Sequence, residues 1–164
     1  MARLPDRFDL WVHKARTCAD PARQADYILG ALAALREWYF LNQGTKENPQ
    51  PAKVEMEGTN WLLLFSAAGR MEELLREKGQ FQPGEPLPVI AIPTESAMTW
   101  CLEDGNTDCA GLMVNPGEAG ALIPMDHLKA FHEEWVKRGA RAAAGFWIPH
   151  MTTQEEDFWQ ENGL

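Results

Sequence analysis

Residues 61–75, WLLLFSAAGRMEELL, decide the fold class. Trp61 to Phe65 is a short continuous apolar run, the pattern of a strand buried on both faces. The periodicity then changes. Ala67, Met71, Leu74 and Leu75 return at helical spacing, and Gly79 supplies a stop. The unit recurs downstream: LPVIAIP predicts a strand near 88–92, and TESAMTWCLEDG predicts a helix capped by Thr94 and ended at Gly105. Laid side by side, LLLFSAAGRMEELL (62–75) and VIAIPTESAMTWCL (89–102) share a strand, a Ser or Thr near the turn and a helix with an inward methionine. We read this as repeated supersecondary structure, not as duplication.

Working outward, Ala110–Val114 predicts a third strand that runs into the turn of GLMVNPGEAGALIPMDHL (111–128). Ala121–Ile123 is a short fourth strand. Pro124 opens a helix with Met125, Leu128, Phe131 and Trp135 on one face. On the amino-terminal side, Asp20-Pro21 reads as an N-cap with proline at the first helical position. Ala25, Ile28, Leu32, Leu35 and Tyr39 then form one stripe, predicting a helix over 21–42 that stops at Gly44. A shorter amphipathic helix carrying Phe8, Leu10 and Trp11 precedes it. Residues 44–59, GTKENPQPAKVEMEGT, lack sustained periodicity and read as a linker or surface loop, with an edge strand at Val54–Met56 as the alternative. The expected organisation is N-terminal helices over 1–43, the linker over 44–59, an α/β core over 60–140 and a C-terminal tail over 141–164. That tail holds a strand at Phe146–Ile148 and a short helix opened by the capping box of Thr153 and Glu156. Alternating strands and helices with short connections make this α/β or α+β, a single compact domain with a small mixed sheet packed against helices and an N-terminal helical extension.

The bulk properties bound the function. The chain has 164 residues, 45% hydrophobic and 24% charged, and a net charge of −9. That charge opposes a phosphate-binding stripe, so nucleic acid and anionic membrane are poor partners. The largest basic cluster, Lys137, Arg138 and Arg141, sits where cations favour a helix C-terminus. No apolar run reaches the roughly 20 residues that span a membrane, and the start lacks the apolar core of a secretory signal. Three cysteines, Cys18, Cys101 and Cys109, fit reduced thiols, and the reading is cytoplasmic.

Each candidate site has a plain alternative. Asn115, Pro116 and Gly117 suit a turn on local grounds, with Glu118 a solvated carboxylate. Their place after a buried strand also suits a ligand or contact loop. In EDGNTDC, Asp104, Asn106 and Asp108 take the first, third and fifth positions of a calcium loop, but Cys109 and Asn115 stand where glycine and glutamate belong. No metal or cofactor is expected. His127 and His132 lie about 140° apart on a helix and cannot share a metal. His132 reads as a packed residue, and His150, in WIPHM, has no partner tied to it by spacing. Cys101 beside Trp100 reads as packed and inert. There is no GxSxG, GxGxxG, phosphate-cradling loop or CxxC, so the expectation is a protein that is not an enzyme. Of seven tryptophans, Trp38, Trp61 and Trp135 read as core, while Trp147 and Trp159 in the tail are candidate contact aromatics.

The segment LPVIAIPTESAMTWCLEDGNTDCAGLMVNPGEAGALIPMDHLKAF resembles the SseB-type N-terminal domain family. Trp100, Gly111 through Gly117, Ile123-Pro124 and Leu128 carry the likeness, which covers roughly residues 60–135. Pro93-Thr94 replaces the usual aromatic-Thr pair, and the tail lies outside the family pattern. The resemblance implies a compact α/β interaction or regulatory module without catalytic chemistry, of a kind found in bacterial secretion-linked and toxin-immunity-like settings. Its contact surface would include Asn115–Gly120, with Trp147 and Trp159, and its acidity suits a basic protein partner. The alternative is a small-molecule-binding domain or minor enzyme at the strand ends near the turn, using Asn115, Glu118, His127 and His150.

Overall fold

A computed structural model describes residues 7–17, 19–80, 82, 84–103, 106, 108–117 and 120–139. These form helices α1 (Arg7–Arg16), α2 (Pro21–Ala33), α3 (Ala68–Glu77), α4 (Thr94–Cys101) and α5 (Met125–Arg138), with strands β1 (Glu37–Leu41), β2 (Lys53–Met56), β3 (Thr59–Leu64), β4 (Val89–Pro93), β5 (Cys109–Val114) and β6 (Ala121–Pro124). The class is the expected one: two sheets and five helices packed together.

The apolar run at 61–65 explains the layering. Because side chains alternate across a strand, Leu62 and Leu64 face one core while Leu63 and Phe65 face another. The first core is built with α1, α2, α4 and α5. The second is closed by Met71 and Leu75 of α3. Each fully buried leucine or phenylalanine contributes roughly 1.5–3 kcal/mol relative to an exposed one, so a strand buried on both faces is held from two sides. The four-stranded mixed sheet runs β2-β3-β5-β6, with β3 and β5 parallel and the outer pairs antiparallel.

The helix expected over 21–42 ends early. It stops at Ala33, and Glu37–Leu41 is instead a strand paired antiparallel with Val89–Pro93. Leu35 and Tyr39 keep helical spacing with Leu32 by coincidence. What wins is a run of aromatic strand formers with a period of two. Trp38 and Phe40 enter the first core, and Tyr39 and Leu41 pack on the second. The Trp38 indole Nε1 donates to the Leu32 carbonyl at 2.9 Å, a second donor beside the Leu35 N–H at 3.1 Å, which pins the end of α2 to β1. Tyr39 also bridges Phe65, with Phe65 N donating to Tyr39 O at 2.8 Å and Tyr39 N to Phe65 O at 3.2 Å, which stitches the middle of β1 to the end of β3.

Within the stretch read as a linker, 53–56 is the edge strand β2. It joins β3 through Glu57 (φ 53°) and Gly58 (φ 78°), the positive-φ pair of a tight hairpin turn. Residues 42–50 form a loop closed on itself, since the Asn42 Oδ1 accepts from the N–H groups of both Gly44 and Gln50. Thr94 does not cap α4. Its hydroxyl donates to the Leu35 carbonyl, and its N–H donates to the Arg36 carbonyl, so it fastens the α2–β1 corner. Helix α4 then ends at Cys101, ahead of the expected stop at Gly105, which lies outside the described residues. Trp38 is fully buried as expected, whereas Trp61 and Trp135 are only partly buried.

Candidate functional site

The turn after β5 is a backbone corner tied from within. Asn115 is 4% exposed and has a φ of 46°, a left-handed conformation that asparagine tolerates better than most residues. Its carboxamide accepts from the Ser66 N–H at 2.9 Å and donates to the Ser66 hydroxyl at 2.9 Å. Its own N–H donates to the Leu64 carbonyl at 2.9 Å. The carboxyl ends of the parallel strands β3 and β5 are thereby fastened together. Pro116 is half-buried and Gly117 exposed, at a φ of 125°. Glu118 lies outside the described residues. Beyond it, Gly120 N donates to Gly117 O at 3.0 Å, and Arg16 of α1 reaches over to donate to the Gly120 carbonyl at 2.6 Å.

Two hollows flank the strand β6 that leaves this loop. One, of about 400 Å³, lies between α1–α2 and β6–α5. Val12, Ala25, Ile28 and Leu122 make much of its wall, and Gly120 and His127 stand in its lining. This places His127 on the loop's side of the molecule, in a space of the size that small ligands occupy. The other, of about 590 Å³, opens at the amino end of β5, away from Asn115, between the end of α4 and the start of α5. Pro124 lines both. Leu122 is 41% exposed and, with Val136, is one of two strongly exposed large apolar residues among those described. It sits on an edge strand of the sheet, where unpaired backbone groups accept partners.

Cys101 and Cys109 are free, buried and adjacent to the larger hollow. Burial pushes the Cys101 thiol far up, with Cys109 and Glu103 adding to the effect, and burial followed by the neighbouring Asp108 raises Cys109. Neither is poised as a thiolate nucleophile. The calcium-like run resolves into separate structural roles. The Asn106 amide donates to the Trp100 carbonyl at 2.9 Å, while Asp108 takes Lys53 at 2.9 Å. Asp104 lies outside the described residues. Among the described residues no group of three or more His, Cys, Asp or Glu side chains could hold a metal ion. His132 is half-buried near the surface, its Nε2 3.4 Å from the Thr99 hydroxyl. Trp147, Trp159 and His150 lie outside the described residues, as does the strand and helix expected in the tail.

The sequence reading placed Ser66 near a turn without its role as the partner of Asn115, and passed over Arg16, Leu122 and the charged rim of the larger hollow. Ser66 had one visible signal, its place right after a buried strand; the others come together only in three dimensions. Comparison of the chain with protein-family models, curated proteins and solved structures gives no match.

Proposed function

We propose that this chain is a non-catalytic protein-binding module, as the resemblance to the SseB-type N-terminal domain implies. Its contact face is the region around β6 and the start of α5, beside the Asn115–Gly120 loop. The observation that carries this reading is Leu122, an exposed apolar side chain on an edge strand beside one hollow, with Pro124 shared between two. Asn115 serves the face by fixing the loop, since its side chain is spent on Ser66, and Pro116 and Gly117 are the parts left for contact. The net charge of −9 favours a basic partner through faster encounter. A cytoplasmic location belongs to the same proposal, in keeping with Cys101 and Cys109, which are free and buried. No described helix is long and apolar enough to cross a membrane.

The test is affinity capture from the source cell's lysate with wild type, Leu122→Asp and Val136→Asp. A partner lost with Leu122→Asp and kept with Val136→Asp supports the face. A partner indifferent to both, or none at all, overturns it. A second reading has its own observation: a hollow of about 400 Å³ holding His127 and Gly120 suits a small-molecule site near the loop. A thermal-shift screen of small molecules, repeated on His127→Ala, tests it.

A further inference from the structure

We propose that the hollow at the amino end of β5 receives an arginine side chain of the partner; the inference rests on the protein-binding reading above and assigns that partner's chemistry. The hollow has two unlike zones. Its more buried lining is largely apolar: Cys101 and Cys109, with Leu102 and Met125 half-buried and the Asn106 amide donating to the Trp100 carbonyl. Its rim carries Glu103 from the end of α4 and Asp126 and Glu133 from α5, all exposed. An arginine side chain has the same division. Its aliphatic stem covers apolar surface while the guanidinium stays at the polar edge. The planar fork pairs with carboxylates in a defined geometry that a lysine ammonium does not match.

Charge and size both favour this occupant. Among the described residues of the lining, three carboxylates stand against Lys129 as the one fully charged cation, with His132 also present. Glu103 comes from the bend after α4 and Asp126 and Glu133 from α5, so the acids reach the hollow from two separate segments. After burial and Cys109, Glu103 adds to the upward push on the Cys101 thiol, so its charge lies close to the buried part of the lining. A space of about 590 Å³ admits an arginine together with its flanking backbone. The chain's overall charge draws such a partner in, and the rim gives it a place to stop.

The experiment uses the full chain labelled with [methyl-13C]methionine, with the Met125 signal assigned through Met125→Leu. The probe is the peptide Ac-Ala-Arg-Ala-NH2, with the lysine and norleucine versions as comparisons. The expected result is a saturable shift of the Met125 methyl with the arginine peptide and a weaker one with lysine. Affinity falls about tenfold in Asp126→Asn/Glu133→Gln. It is unchanged in Glu73→Gln, which alters net charge on α3, away from the hollow. Lys129→Met removes the competing cation and tightens binding, a gain that misfolding cannot produce. Three results overturn the proposal: an equal response to norleucine, an equal loss in Glu73→Gln, or no saturable shift by about 10 mM peptide. A partner captured through Leu122 without any peptide response removes this inference alone. A peptide response without a captured partner removes the protein-partner reading and keeps the arginine receptor.

Discussion

The Asn115 carboxamide grips Ser66 at two atoms, its N–H and its hydroxyl, each at 2.9 Å, across 49 residues of sequence. Three requirements meet at this one position: a left-handed backbone, a donor and an acceptor. Asn115→Gly keeps the backbone conformation and loses the bonds, and the buried Ser66 N–H then lacks its partner, at a cost of about 1–3 kcal/mol. Asn115→Ala adds the left-handed penalty, about 1–2 kcal/mol more. Chemical denaturation of both variants should give the order wild type, Gly, Ala. Equal stabilities for Gly and wild type would show that the bonds contribute nothing.

Gly111 is needed where β5 passes β6. A Cβ there would overlap the Ile123 carbonyl and come 2.9 Å from the Trp61 ring. The nearest of these is backbone, which cannot swing aside as a side chain can, so the strands must part. Gly111→Ala should lower stability by about 1–3 kcal/mol, the usual scale of overpacking, and Gly111→Val by more. Thermal unfolding followed by circular dichroism reads this directly.

Arg70 of α3 and Asp9 of α1 form an ion pair with side chains 7% and 14% exposed. Removing one partner leaves a charge in a poorly solvated place. Asp9→Ala should therefore cost about 3 kcal/mol. The double variant Asp9→Leu/Arg70→Met should recover a large part of that loss, because neither charge is then stranded. A double variant less stable than the worse single change would contradict the account.

Asp108 bears on pH. The hydrogen bond from Lys53, at 2.9 Å, holds its carboxyl below the ordinary carboxylate value. A depressed folded-state value stabilises the protein above the unfolded value and is lost as pH falls through the folded one. The contribution is thus complete at neutral pH and fades below about pH 4. Asp108→Asn should flatten the acid limb of the stability profile in that window and leave the slope between pH 6 and pH 8 unchanged, as denaturation midpoints across pH will show.

Much of the architecture was legible where pattern and environment agree. The run at 61–65 reads as a strand because both of its faces are buried. The corner at Asn115 was legible from the residue types that favour a turn. What Asn115 holds was not, because Ser66 is brought beside it only by the parallel pairing of β3 with β5. The segment 37–41 misled because three spaced residues, Leu32, Leu35 and Tyr39, mimic a helix face, while its pairing with β4 lies some fifty residues on. The acidic rim combines Glu103 with two residues of α5, and no local spacing relates them.

The stitch between Tyr39 and Phe65 has a consequence for motion. Because it welds the two-stranded sheet to the end of β3, neither sheet can open without straining the other. The amides of Tyr39 and Phe65 should be among the slowest to exchange with deuterated solvent, released only when the whole chain unfolds, so the seam serves as a built-in gauge of cooperativity.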